Sequence, residues 1–138
     1  MTEDQRQVTV NGLTFDVRIG GGPDQGPPWV LLLHGFPVNG TCYDAVLPPR
    51  LHESGLRTLV LNQRGYSPGA RPPAVEDYHL SHLVSDVIGV LDELKVGYAI
   101  LVGHDWGGIV AWHLAGKYPP TDSPGSWSRA PATLRRCG

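Results

Sequence analysis

One stretch of the chain combines a carboxylate with the glycines that a tight turn requires. Residues 99–118 read AILVGHDWGGIVAWHLAGKY, and this pattern predicts a buried strand, a sharp turn and a helix. Asp105 lies at the centre of the turn between Gly103 and Gly107. These glycines lack the Cβ atoms that would collide with the neighbouring strand and helix. We therefore expect the Asp105 side chain to be held out at the start of a helix.

This position would give Asp105 the chemistry of a nucleophile. Peptide dipoles and unpaired N–H groups at a helix N-terminus favour negative charge, so the carboxyl group should be ionised at neutral pH. An ionised carboxylate can attack an electrophilic carbon, whereas a serine at this place would have indicated an esterase. Aspartate is common in glycine-rich turns, so the interpretation depends on the rest of the chain.

A second loop offers the backbone groups that such chemistry needs. The apolar run Trp29–Leu33 predicts a buried strand, and the tetrapeptide HGFP follows it at residues 34–37. In an open parallel sheet the loops after the strands lie at one edge, so HGFP and GHDWGG should face each other. We expect the backbone N–H groups of Phe36 and Trp106 to form an oxyanion hole, in which one donor is worth about 3 kcal/mol.

The other segments predict an α/β fold with a mostly parallel sheet. Gln7–Val10 and Leu13–Ile19 are β-rich runs separated by Asn-Gly, a strong hairpin signal. Thr58–Leu61 predicts a further short strand. Apolar residues at intervals of three and four from Leu80 to Leu94 predict an amphipathic helix with Ser81 as its cap. Alternation of strands and helices after an antiparallel start is typical of this fold class.

Composition restricts the possible function classes. The chain has 138 residues, 41% of them hydrophobic, and a formal net charge of -2, which are typical of one soluble domain without a nucleic-acid footprint. No run of 18 apolar residues exists and the N-terminus is polar, so we expect no membrane span, no secretory signal and a cytoplasmic location. The two cysteines form no CxxC pair, which argues against a metal site. We predict a small-molecule substrate and no cofactor.

The motifs HGFP, RGYSPGARP and GHDWGG together resemble the N-terminal half of an α/β-hydrolase of the epoxide hydrolase and haloalkane dehalogenase group. The similarity covers residues 8–118 and implies a partial α/β-hydrolase fold, with an antiparallel N-terminal hairpin and truncation after the nucleophile helix. It implies that Asp105 is the nucleophile and that Phe36 and Trp106 supply the oxyanion hole. The supporting positions that it implies are His34, Gly35, Pro37, Gly103, His104, Gly107 and Gly108.

The resemblance also implies a covalent mechanism. In epoxide hydrolases of this group the aspartate forms an alkyl ester, which water activated by a distant histidine then hydrolyses, while two lid tyrosines protonate the epoxide oxygen. Many haloalkane dehalogenases carry asparagine at the position of Phe36, so this residue favours an epoxide. A haloalkane or haloacid dehalogenase and a non-catalytic fragment stay open as alternatives. Asn62 departs from the usual Asp-x-x-Gly of the family loop, and we expect this to affect only a turn contact.

The family's base histidine, second acid and lid tyrosines are expected downstream of position 118. None of the six histidines of this chain fits the role of the base, so we expect a truncated chain that is inactive alone. Residues 119–138 are rich in proline and lack an apolar period, which predicts an irregular tail after a first unit at 1–118. With GC-rich codons assumed, another reading frame of this tail gives DRLAGLVVA. A frameshift is therefore one hypothesis.

Overall fold

The fold places its strands in one mixed sheet with helices on both faces. A computed structural model describes residues 4–21, 29–44 and 47–117, and the backbone of residues 132–136. Its strands are β1 (Asp4–Val10), β2 (Leu13–Gly20), β3 (Trp29–Leu33), β4 (Arg57–Leu61), β5 (Ala99–Gly103) and β6 (Ala132–Arg136). Its α-helices are α1 (Leu47–Glu53), α2 (Leu80–Glu93) and α3 (Trp106–Lys117). The order across the sheet is β1-β2-β4-β3-β5-β6.

The sheet begins with the predicted antiparallel hairpin, and strands β3 to β6 pair with one another in parallel. Asn11 and Gly12 join β1 to β2 with φ angles of 54° and 75°, which are the left-handed values that an Asn-Gly hairpin turn requires. Strand β2 is antiparallel to β4, whereas β3 is parallel to both β4 and β5. Leu33 lies opposite Leu61 and Gly103, so these three parallel strands end at the same level. The loops that follow them therefore meet at one edge.

The core lies on both faces of the sheet, which explains the continuous apolar run of β3. Leu31 and Leu33 pack on the side of α2 and α3, while Val30 and Leu32 pack against α1 and its surroundings. All four side chains are buried. Fully burying one such side chain contributes about 1.5–3 kcal/mol.

The helices largely follow the sequence pattern, with one difference at α2. Pro48 and Pro49 lie in the first turn of α1, where a backbone N–H has no partner within the helix. The prediction that Ser81 caps α2 is wrong, because the helix begins at Leu80 and Ser81 is already inside its first turn. His79 precedes the helix with an extended backbone and makes no capping hydrogen bond through its side chain. Among the described residues no helix is long and apolar enough to cross a membrane.

The predicted irregular tail at 119–138 differs from the structure in one segment. Ala132–Arg136 forms β6 and pairs in parallel with β5, Leu134 opposite Leu101. An edge strand presents unpaired N–H and C=O groups, and pairing with even a short segment satisfies them. Residues 118–131 and 137–138 lie outside the described residues, as does the predicted helix end at Tyr118.

Candidate functional site

The turn between β5 and α3 has the strained geometry that the sequence predicts. Asp105 has a φ angle of 55°, a conformation that costs a non-glycine residue about 1–3 kcal/mol. A Cβ atom on Gly103 would overlap the carbonyl oxygen of Gly107, and one on Gly107 would overlap the carbonyl oxygen of Leu33. Both glycines are therefore needed for strand, turn and helix to approach each other. The structure places Asp105 at the centre of this turn.

The HGFP loop lies directly against the turn. A Cβ atom on Gly35 would come within 2.5 Å of the Asp105 Cβ and 2.8 Å of the His104 carbonyl oxygen, so glycine permits the contact. The next peptide, between Phe36 and Pro37, is cis. The backbone N–H of Phe36 donates a hydrogen bond to Oδ2 of Asp105 at 3.0 Å. The structure thus brings together the two loops that the sequence analysis paired.

The two expected oxyanion donors also determine the charge of Asp105. Hydrogen bonds from the backbone N–H of Phe36 and then of Trp106 hold the pKa of the Asp105 carboxyl below its ordinary value of 3.8. Burial opposes this shift weakly, and the neighbouring His104 adds to it. The side chain is exposed and ionised at neutral pH. Its charge in turn helps to raise the pKa of Tyr66, for which burial is the larger cause.

His34 holds the HGFP loop through a network that is part of the interior. Its Nε2 accepts the backbone N–H of Gln63 at 3.0 Å, so the ring proton lies on Nδ1, 3.1 Å from the carbonyl oxygen of Gly35. The side-chain amide of Gln63 donates to the carbonyl oxygen of His34 at 2.7 Å. Burial lowers the pKa of His34 and keeps the ring neutral. We call this reciprocal pair the His34–Gln63 latch.

Three further positions that the sequence analysis named are His104, Gly108 and Asn62. The His104 side chain is exposed, and its backbone N–H donates to the carbonyl oxygen of Leu33 at 3.1 Å. A Cβ on Gly108 would lie 3.5 Å from the carbonyl oxygen of Gly103, an ordinary contact, so the backbone leaves space for the methyl group of an alanine there. Oδ1 of Asn62 accepts the backbone N–H of Gly40 at 2.8 Å, so the residue that departs from the family loop joins the loop after β4 to a segment 22 residues earlier in the chain.

The sequence analysis did not predict the buried ion pair between Arg64 and Asp86, which lies next to the site. The Arg64 guanidinium donates to both carboxylate oxygens of Asp86 at 2.7 and 2.8 Å, and to the carbonyl oxygen of Asp77 at 2.6 Å. Asn11 donates a further hydrogen bond to Asp86 at 3.1 Å. The pair fixes the loop after β4 against α2. The sequence signals that could have found it are the first arginine of the RGYSPGARP motif, Arg64, and Asp86, an acidic residue among the apolar residues of α2.

A cavity of about 190 Å³ opens beside the turn. Its wall includes Phe36 and Trp106 on one side and Tyr66, Tyr78 and Leu83 on the other. The Tyr66 ring meets the His34 ring edge to face, with 4.5 Å between the ring centres. Over the described ranges, no group of three or more His, Cys, Asp or Glu side chains is arranged to hold a metal ion.

Comparison with known proteins identifies the fold family of the chain. A family described as alpha/beta hydrolase fold matches residues 28–123. The chain is 38% identical over 112 residues to the AB hydrolase superfamily protein YfhM of Bacillus subtilis, and 38% identical over 109 residues to Epoxide hydrolase A of Mycobacterium tuberculosis. These alignments cover 81% and 79% of this chain. The crystal structure of epoxide hydrolase VrEH1 from Vigna radiata is 36% identical, with a TM-score of 0.77 over 85% of this chain.

The relatives are considerably longer than the chain. The alignments cover 38% of YfhM, 33% of Epoxide hydrolase A and 36% of the VrEH1 structure. The chain thus spans about a third of the length of these proteins, which is consistent with a partial fold. The family match at residues 28–123 includes the strand, turn and helix around Asp105. The chain belongs to the α/β-hydrolase fold family, and epoxide hydrolases are among its relatives.

Proposed function

We propose that this chain carries the nucleophile and the oxyanion hole of an epoxide hydrolase. The observation that carries the proposal is the hydrogen bond from the Phe36 N–H to Oδ2 of Asp105, a residue with a φ angle of 55° at the start of a helix. An exposed, ionised carboxylate held at a sharp turn suits attack on an electrophilic carbon. The relatives named epoxide hydrolases support the choice of an epoxide.

The first step forms an ester. Because the Phe36 N–H occupies Oδ2, we assign Oδ1 of Asp105 as the attacking oxygen. A bond forms between Oδ1 and one epoxide carbon while the bond from that carbon to the epoxide oxygen breaks. The bonding electron pair stays on the epoxide oxygen, which takes a proton from water. The product is a hydroxyalkyl ester of Asp105.

The second step is hydrolysis of this ester, and it uses the same backbone donors. Water attacks the carbonyl carbon of the esterified Asp105, and negative charge develops on Oδ2. The N–H of Phe36 donates to Oδ2 in the free carboxylate, and we assign to it and to the N–H of Trp106 the stabilisation of that charge. In oxygen-18 water the labelled oxygen would therefore enter the Asp105 carboxylate before it enters the diol.

The chain by itself should complete only the first step, and slowly, because the lid tyrosines that protonate the epoxide oxygen in the family have no counterpart here. Hydrolysis of the ester requires a base that activates water. His34 is engaged with Gln63 and Gly35, His52 with the Thr58 hydroxyl, and His113 with the carbonyl oxygen of Ile109. None of the six histidines fits the role of the family's base, so we expect the ester on Asp105 to accumulate.

Mass spectrometry after incubation with propylene oxide tests the proposal. We expect an added mass of one epoxide on the peptide that contains Asp105, and no adduct at this position in Asp105→Asn. Asp92→Asn changes an exposed aspartate of α2 and serves as the matched control. The proposal is wrong if Asp105 stays unmodified, or reacts no faster than Asp92. Faster reaction with a bromoalkane of the same carbon skeleton would favour the dehalogenase alternative.

A further inference from the structure

Helix α3 is apolar on both of its sides. Its buried side is formed by small and aliphatic residues, namely Gly107, Gly108, Val110, Ala111 and Leu114. On the other side Trp106, Ile109 and Trp112 are 51%, 40% and 54% exposed. Residues three apart are neighbours on a helix, so these three form one stripe about 120° wide, which we call the α3 face. A helix that is apolar all round is typical of a buried helix, so the α3 face is a candidate contact surface.

The size of this surface indicates how strong a contact it can make. Phe36 is 67% exposed and lines the same cavity as Trp106, so its ring extends the α3 face. An aromatic side chain covers about 150–250 Å² when it is buried, so the exposed parts of Phe36, Trp106 and Trp112 amount to about 300–400 Å². Exposed apolar patches of this size are often functional contact surfaces. Two such patches together stay below the area of about 1,200 Å² that stable interfaces bury, which predicts a weak and reversible association.

The two ends of α3 carry opposite charges. Asp105 directly precedes the helix and is ionised at neutral pH, whereas Lys117 is the last residue of the helix. Lys117 is also the only permanently charged residue within α3. In an antiparallel pair of α3 helices each N-terminal end lies beside the C-terminal end of the other helix. This arrangement brings opposite charges together and aligns the two helix dipoles favourably.

A single register satisfies the charges and the apolar stripe together. Asp105 and Lys117 are each six residues from Ala111, and Ile109 is two residues before it. His113 is two residues after it, and its Nδ1 lies 3.0 Å from the carbonyl oxygen of Ile109. Antiparallel pairing centred on position 111 therefore places the two end charges opposite each other and Ile109 opposite His113. A two-fold axis repeats each of these contacts, so the same face serves on both copies.

We propose that two copies of the 138-residue chain associate through antiparallel packing of their α3 faces, with Asp105 of each copy opposite Lys117 of the other copy. The apolar stripe supplies the buried area. The end charges fix the orientation, because a parallel pair would place like charges together. Asp105 lies within this contact, so association and reaction with an epoxide compete for the same surface. The inference needs the charge of Asp105 and not its reactivity, so it does not depend on the proposed function.

Sedimentation equilibrium of the chain between about 1 µM and about 300 µM tests the association. We expect the mean mass to rise with concentration from that of one chain towards that of two. Ile109→Glu places a charge within the α3 face and should weaken the association about tenfold, because burying an unpaired charge is costly. Val75→Glu is the matched control, since Val75 is 84% exposed and lies outside the α3 face. A chain that stays monomeric throughout, or an equal effect of the two variants, overturns the inference.

Charge variants of Lys117 test the orientation of the two helices. Lys117→Glu faces Asp105 of the other copy with a like charge and should weaken the association about fivefold, whereas Lys117→Arg should preserve it. Lys95→Glu makes the same change in net charge at an exposed residue after α2 and should associate like the unmodified chain. If Lys117→Glu associates as well as Lys95→Glu, the antiparallel arrangement is wrong and the inference fails.

Cross-linking of the unmodified chain keeps the inference testable should Ile109→Glu fail to fold. A carbodiimide joins a carboxylate directly to an ammonium group that touches it. Asp105 and Lys117 of one copy lie at opposite ends of a helix about 18 Å long, so an amide between them must join two copies. We expect mass spectrometry to find this link, and dimers without it overturn the inference. A monomeric chain that binds phosphatidylcholine vesicles would also overturn it and assign the α3 face to a membrane surface.

Discussion

The backbone N–H of Phe36 lies 3.0 Å from Oδ2 of Asp105, although 69 residues separate the two in the chain. The register of the sheet produces this contact, because Leu33 and Gly103 end neighbouring parallel strands opposite each other. The two loops therefore start at the same level. Glycine at position 35 then allows them to touch.

Gly35→Ala should separate the two loops. Its Cβ would lie 2.5 Å from the Asp105 Cβ, against a turn that is fixed by its own strained backbone. We expect a loss of about 1–3 kcal/mol in the free energy of unfolding, measured by urea denaturation, and adduct formation on Asp105 slowed at least tenfold. Gly116→Ala is the matched control, since a Cβ at Gly116 meets nothing within 4 Å. Equal effects at both positions would contradict the close approach of the loops.

The reactivity of Asp105 should be insensitive to pH over the neutral and mildly acidic range. The Phe36 and Trp106 N–H groups lower the pKa of the carboxyl below 3.8, so the nucleophile stays ionised until the pH falls below that value. The rate of adduct formation, corrected with Asp105→Asn for background reaction, should be flat from pH 8 to pH 5. A half-maximal rate at pH 5 or above would show that the N–H groups do not stabilise the charged form.

The local part of this site could be predicted from sequence, because it depends on residues adjacent in the chain. The strand, turn and helix around Asp105 and the hairpin at Asn11 follow from short glycine-containing patterns. The pairing of the two loops followed from the rule that parallel strands end at one edge. The observed hydrogen bond from Phe36 agrees with that expectation.

The contacts that support the site could not be predicted in the same way. The partners in the Arg64–Asp86 pair and in the His34–Gln63 latch are 22 and 29 residues apart, and no periodicity links them. The cavity draws its wall from several separate segments. Strand β6 follows a proline-rich stretch and owes its conformation to the open edge of β5, which is a tertiary effect.

Replacing only one partner of the Arg64–Asp86 ion pair should lower the free energy of unfolding more than replacing both partners. Arg64→Met leaves the buried Asp86 carboxylate without its guanidinium, and we expect a loss of about 3–5 kcal/mol in the free energy of unfolding. The double variant Arg64→Met, Asp86→Leu removes both charges and should recover a large part of this loss. Urea denaturation of the unmodified chain, of Arg64→Met, of Asp86→Leu and of the double variant measures the difference. A double variant as unstable as the sum of the two single variants would contradict a coupled buried pair.

The last prediction concerns the His34–Gln63 latch and the pH dependence of stability. Burial lowers the pKa of His34 below 6.5, so the folded chain holds the neutral ring and the unfolded chain binds the proton more readily. The stabilisation is therefore complete above pH 6.5 and is lost as the pH falls from 6.5 through the lower pKa of the folded state, at up to about 1.4 kcal/mol per pH unit. Protonated Nε2 could no longer accept the N–H of Gln63.

His34→Gln provides the comparison, because its amide oxygen can accept the Gln63 N–H but does not titrate. Urea denaturation of both chains at intervals between pH 7.5 and pH 4.5 gives the difference in free energy of unfolding, in which the contributions of the other histidines cancel. We expect this difference to favour the unmodified chain at pH 7.5 and to shrink steadily below pH 6.5. A difference that stays constant across this range would show that His34 keeps the same protonation state in the folded and unfolded chains.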